Sequence, residues 1–198
     1  ADVPPGHSSP CIWGDKIVLT GLEGGKLVTF CLNRTTGQEL WRKIAPVEKL
    51  ESTHRISSPA SPSPCTDGVH VYVYFGSFGV LAYDWNGEEL WRKPLPAPVV
   101  EFGTGASPIL VDGKIIIVSD QDIGSYMVAL DAKSGTEVWR VDRSEFRRSF
   151  STPFLWKHDG IEELVVPGSL WVRSYDVNDG RQRWSVRGMA RVSNASPV

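Results

Sequence analysis

One phrase recurs four times along this chain and limits the possible folds more than any other feature. It reads Gly37-Gln38-Glu39-Leu40-Trp41, Gly87-Glu88-Glu89-Leu90-Trp91, Gly135-Thr136-Glu137-Val138-Trp139 and Gly180-Arg181-Gln182-Arg183-Trp184, with the tryptophans 50, 48 and 45 residues apart. A second marker keeps the same beat. Ser9-Pro10, Ser63-Pro64, Ser107-Pro108, Thr152-Pro153 and Ser196-Pro197 lie 54, 44, 45 and 44 residues apart. Self-similarity at a period of about 20–50 residues marks a repeat architecture, in which each unit buries its apolar surface on the next.

Each repeat reads as four short strands separated by turn signals. The third is the cleanest: strands over 108–111, 114–119, 126–131 and 136–141, with Asp112-Gly113 as a hairpin turn and 120–125 as a loop. The run Ile115 to Val118 is continuously apolar, where a sheet with one wet face would alternate. It therefore predicts a sheet covered on both faces. Four-stranded antiparallel sheets of about 45 residues, stacked face to face, are the blades of a β-propeller. The predicted fold class is all-β, with blades over about 6–43, 63–93, 106–141 and 151–187, and residues 193–198 opening a fifth. In such a fold Trp41, Trp91, Trp139 and Trp184 wedge between neighbouring blades, and each indole N–H needs a polar partner there. Asp84, Asp131 and Asp176 recur at the end of the third strand, which argues for turn structure and against catalysis.

The charge balance excludes some function classes. Lys+Arg number 21 and Asp+Glu 23 in 198 residues, a formal charge of −2. That is no footprint for nucleic acid or an anionic membrane surface. No apolar run approaches the roughly 18 residues of a membrane helix. The first residue is not Met and residues 1–6 hold no signal peptide, so a processed or partial chain is expected. The three cysteines are an odd number. Cys11 and Cys65 follow the Ser-Pro marker at equivalent repeat positions and read as small apolar residues, with a disulfide or a reactive thiol as the alternative.

Chain direction sorts the connections onto two faces. The fourth-to-first and second-to-third connections share one face; the tight Asp-Gly and Thr-Gly turns share the other. Loops on a rigid scaffold carry function, so the candidate ligand- or partner-binding residues are His7, His54, Arg55, Asp120, Asp122, Arg147, Arg148 and Arg191. Arg147-Arg148 suits a carboxylate or phosphate clamp, or else is a surface pair that faces solvent or bridges to Glu145. Asp120 and Asp122 offer two oxygens to calcium, or else simply make a turn; no EF-hand loop is present. No nucleophile elbow, phosphate-binding loop or zinc-protease motif occurs, and no catalytic or metal-binding residue is expected.

The pattern Ser-Pro, apolar strand, Ala129-Leu130-Asp131, turn, Gly-x-Glu-Leu-Trp resembles the pyrroloquinoline-quinone (PQQ)-like repeat with its tryptophan-docking motif. The resemblance covers nearly the whole chain. Relatives with this repeat include quinoprotein alcohol dehydrogenases and BamB-like outer-membrane-assembly lipoproteins, both extracytoplasmic and closed with seven or eight blades. It implies a bacterial, periplasmic or secreted protein and an open arc of about half a propeller. A closed four-bladed ring is the competing possibility. The adjacent cysteines that the dehydrogenases place beside the cofactor have no counterpart here, and their calcium-binding carboxylates match no position. The expected function is therefore a non-enzymatic scaffold contacting a protein partner or small ligand through its loop face. The alternative is the N-terminal part of a PQQ- and calcium-dependent oxidoreductase. Four blades of a larger propeller also imply uncovered apolar faces on the first and fourth sheets, in strands such as 16–20 and 161–166, with the missing blades as natural partners.

Overall fold

The structure, a computed structural model, describes residues 3–197. Sixteen strands form four four-stranded antiparallel sheets, each a meander in chain order, and no helix occurs among the described residues. The first sheet is β1 (Cys11–Trp13), β2 (Lys16–Glu23), β3 (Lys26–Asn33) and β4 (Glu39–Ile44). The second is β5 (Cys65–Thr66), β6 (His70–Phe75), β7 (Gly79–Asp84) and β8 (Glu89–Pro94). The third is β9 (Ile109–Val111), β10 (Lys114–Ser119), β11 (Tyr126–Asp131) and β12 (Glu137–Asp142). The fourth is β13 (Phe154–His158), β14 (Ile161–Pro167), β15 (Trp171–Asp176) and β16 (Gln182–Arg187). These are propeller blades, as the repeat predicts.

The recurring phrase has a backbone cause. In every sheet the pairing of the third and fourth strands slips by one residue at the same place, at Cys31/Leu32, Ala82/Tyr83, Ala129/Leu130 and Ser174/Tyr175. A bulge of this kind bends and twists the strand pair. The carboxylates of Asp84, Asp131 and Asp176 accept turn N–H groups, as in Asn86 N–H to Asp84 Oδ1 at 2.8 Å and Ser134 N–H to Asp131 Oδ1 at 2.8 Å. The amide oxygen of Asn33 does the same for Thr36 in the first repeat. Turn formation is thus where those side chains are spent.

The chain divides into two compact units, one ending at Thr104 and the other beginning at Gly105, each holding two sheets. In the first unit Val18, Leu27 and Cys31 pack with Val71, Val73, Phe75 and Leu81. In the second, Ile116, Val118, Met127 and Ala129 pack with Leu164, Val166, Tyr175 and Val177. Ile115, Ile116, Ile117 and Val118 are all buried, so the apolar run of β10 does lie between two covered faces.

The repeated glycine and tryptophan meet across these sheet pairs. Trp41 Nε1 donates to the Trp85 carbonyl at 3.1 Å, and Trp139 Nε1 to the Val177 carbonyl at 3.0 Å. Gly87 and Gly180 lie under those rings at positive φ. A Cβ on Gly87 would stand 2.8 Å from the Trp41 ring, and one on Gly180 2.8 Å from that of Trp139. The phrase therefore needs glycine twice over, for the turn and for the neighbouring ring.

The fourth sheet differs. Trp184 Nε1 donates to Glu163 Oε2 of its own sheet at 3.0 Å. Glu163, almost fully buried, also accepts from Ser174 and meets His158 Nε2 at 2.7 Å. A polar network thus sits at the centre of the face expected to be bare and apolar, while Trp156, Ile161 and Val186 of the same sheet are exposed. Leu164 and Val166 are buried, and only Ile161 of the expected stretch is exposed. On the first sheet Ile17 and Leu19 are half-buried around Val28, Phe30 and Leu32, so that face is partly covered. Ser193 makes an isolated parallel bridge to Ser149. Residues 194–197 form no strand, and Val198 lies outside the described residues.

Candidate functional site

Two depressions gather the loop residues singled out from the sequence, one in each unit. In the first unit His7, His54 and Arg55 line a hollow of about 340 Å³ with Pro5, Leu22 and Pro59. His54 packs its ring 5.5 Å from that of Phe102, and its Nδ1 receives the Ile56 N–H at 3.4 Å. His7 is tied by its backbone N–H to the Ala60 carbonyl at 3.2 Å.

The second unit holds the larger groove, about 650 Å³. Asp122 comes from the β10–β11 connection; Glu145, Arg147 and Arg148 from β12–β13; Ser169 and Leu170 from β14–β15; Arg191 and Val192 from the segment after β16. All are fourth-to-first or second-to-third connections, so the sorting of loops by chain direction places them together. Four of the eight candidates, Asp122, Arg147, Arg148 and Arg191, line this groove.

The loops that carry these residues are held by aromatic and hydrogen-bonded packing. The Phe146 ring lies under two guanidiniums, Arg143 at 4.2 Å and Arg173 at 4.7 Å. Gly168 abuts it so closely that a Cβ would sit 2.4 Å from the ring. The Ser125 hydroxyl bridges its own loop to the next, 2.9 Å from the Gln121 carbonyl and 2.8 Å from that of Phe146. Arg147 N–H donates to Ser169 Oγ at 3.0 Å, and the Ser169 hydroxyl donates back to the Arg147 carbonyl. Arg148 and Leu170 both hold positive φ, 51° and 66°. Such φ is costly for bulky residues and persists only where the surroundings fix it.

Asp120 is not in the groove. It lies buried, its carboxylate gripped at both oxygens by Arg143, at 2.8 and 2.7 Å, and Arg143 itself is fully buried. Burial pushes the Asp120 carboxyl up, against the opposing charge and hydrogen bonds of Arg143. The guanidinium stays protonated at any ordinary pH, so the pair is an internal ion pair. Asp122, two residues on, pairs instead with Arg148 at 2.6 Å; that hydrogen bond, with the Arg148 and Arg147 charges, holds its carboxyl below the usual range. Each carboxylate already has its own arginine, which leaves the pair unsuited to share a calcium ion. Among the described residues no three His, Cys, Asp or Glu side chains converge as a metal site. Asp120 and Asp122, the two oxygens the sequence offered to calcium, are thus each committed to an arginine.

Sequence reasoning missed Arg143, Glu145 as a partner of Arg173, and Glu51. Glu145 pairs with Arg173 at 2.7 Å and not with Arg147 or Arg148. Arg173 sits mid-strand, 28 residues away, and no spacing rule reaches it. Glu51 is buried with Oε2 accepting from the Thr104 hydroxyl at 2.8 Å, while Oε1 has no hydrogen-bond partner. Burial pushes its carboxyl up to about 7, against the Thr104 hydrogen bonds. The thiols of Cys11, Cys31 and Cys65 are all raised by burial and unlinked, as small packed residues should be.

A family model described as outer membrane protein assembly factor BamB matches residues 12–196. The chain belongs to that family. Among curated relatives, BamB of Alkalilimnicola ehrlichii is 28% identical over 140 residues, 70% of this chain and 33% of the relative. BamB of Kangiella koreensis is 29% identical over 137 residues, 67% of this chain and 31% of the relative. The chain thus spans about a third of the length of the curated BamB proteins it matches. The crystal structure of BamB from Moraxella catarrhalis superposes with a TM-score of 0.63 at 16% identity, covering 91% of this chain and 48% of that one. A europium-containing methanol dehydrogenase superposes at 0.68 with 11% identity, covering 94% and 42%. At such identities the likeness to both structures is one of fold.

Proposed function

We propose that this chain is a non-catalytic propeller segment of an extracytoplasmic assembly factor, and that it contacts a protein partner in outer-membrane protein assembly through its loop ends. The family match over residues 12–196 carries this reading. The groove gives it a physical form, since fixed loops on a rigid sheet scaffold present three arginines to solvent. The tryptophans act in this reading as structural docking groups between sheets. No cofactor is part of it. The PQQ-and-calcium alternative is supported by fold likeness alone, and fold likeness does not imply activity.

The test is deletion of the gene in its native host, with outer-membrane β-barrel proteins quantified in isolated membranes. The expected result is a fall in several barrel proteins, restored by the intact gene. Unchanged barrel levels together with loss of a PQQ-dependent alcohol oxidation would overturn the reading.

A further inference from the structure

The charges around the second groove do not balance. Arg148 is paired with Asp122, and Arg173 with Glu145. Arg147 and Arg191 are exposed, and neither side chain makes an ion pair or hydrogen bond with another described residue. Arg147 is near enough to help keep Asp122 ionised without bonding to it. Two planar guanidiniums therefore face the groove uncommitted. Their five-donor forks match a carboxylate or phosphate at both oxygens. Beside them Leu170 and Val192 are 40% and 43% exposed. A bare inorganic anion cannot cover that apolar surface; a chain with an apolar side chain between its anions can. Asp122 and Glu145 in the same wall are offset by their own arginines, which leaves the Arg147 and Arg191 charges to set the sign of the groove. The left-handed backbone at Arg148 and Leu170 fixes one cationic and one apolar element in place.

We propose that this groove receives an acidic segment of a partner protein, with carboxylates on Arg147 and Arg191 and an intervening apolar side chain against Leu170 and Val192. The proposal rests on the loop-end reading above and adds the chemistry of what docks there. Binding of this kind is steered by charge and weakens as salt rises, since exposed charges are screened beyond about 10 Å at 0.1 M salt.

Three fluorescent peptides of one design test it against the full chain by anisotropy: repeats of Glu-Glu-Leu, and the same with Gln or with Lys in place of Glu. The expected result is binding of the Glu peptide alone, weaker at high salt. Arg147→Ala with Arg191→Ala should reduce that affinity by about tenfold or more, since each removes a charge-assisted contact. Arg147→Glu with Arg191→Glu should transfer the preference to the Lys peptide, an outcome that a merely unfolded variant cannot give. Arg181→Ala, in the opposite turn of the fourth sheet, should leave it unchanged. Equal binding of the Glu and Gln peptides, affinity indifferent to the double substitution, or complete displacement by millimolar inorganic phosphate would each overturn the proposal. A photo-crosslinker at Val192 separates the two readings. Partner adducts that persist undiminished in the double alanine variant sink the acidic segment and leave the loop-end reading standing.

Discussion

Asp120 and Asp122 are two residues apart on one loop and do opposite work. Asp120 is buried and locked to a buried arginine, with Tyr175 and Phe146 against the same guanidinium. Asp122 is partly exposed and pairs with Arg148 at the wall of an open groove. Both look alike in the sequence, as loop carboxylates near arginines. The difference is desolvation. Removing one partner of a buried pair strands the other charge away from water, whereas an exposed partner is simply rehydrated. Glu51 adds a third case, a buried carboxyl with no arginine at all, held instead by Thr104 and pressed against Gly76.

The largest expected effect comes from breaking the buried pair. Arg143→Ala should cost about 3–5 kcal/mol of folding stability, measured by denaturant unfolding, because Asp120 is left charged and uncompensated in the interior. A loss below about 1 kcal/mol would show that water reaches the site and that the contrast between the two aspartates is false.

Glu51 gives an effect of intermediate size that depends on pH. Its folded-state pKa of about 7 lies above the ordinary 4.5. The folded state therefore binds the proton more tightly. Stability is full below about 4.5 and declines as pH rises through 7, where the buried carboxylate must ionise. The span corresponds to roughly 3 kcal/mol at most. Glu51→Gln should remove that decline, so the variant is more stable than the parent at pH 8 and nearly equal at pH 4. Parallel stability profiles for the two proteins would contradict the burial argument.

The smallest effect belongs to the groove. Asp122→Ala should change folding stability by no more than about 1 kcal/mol, since its partner Arg148 can turn to solvent. It should nevertheless strengthen binding of the Glu-rich peptide, because it removes a negative charge from the groove wall. Tighter peptide binding at constant stability would sharpen the distinction between staple and groove wall.

The fold was legible because its signals are local and repeated. Glycine, aspartate and tryptophan recur at fixed offsets, each for a reason the structure shows: the turn, the Asx hydrogen bonds and the ring lying over the next glycine. The loop ends were legible only as a set. Chain direction alone brought Asp122, Arg147, Arg148 and Arg191 to one end of their sheets. Which carboxylate takes which arginine was not legible. Those choices depend on side chains 23 to 28 residues apart, such as Arg143 with Asp120 and Arg173 with Glu145, and on burial that no motif encodes. The polar centre of the fourth sheet was not legible for a similar reason. Glu163 sits among apolar neighbours in β14, and nothing local says that Ser174, His158 and Trp184 will satisfy it.

The central claim is that the loop end of these sheets, and not the turn end, is the working surface. Photo-crosslinking in the native host tests it most directly, with the probe placed at Val192 on the groove rim or at Asn178 in the opposite turn of the fourth sheet. The account predicts a discrete protein adduct from position 192, reduced by the double substitution of Arg147 and Arg191, and none from position 178. Adducts from 178 alone, or equally from both positions, would contradict it.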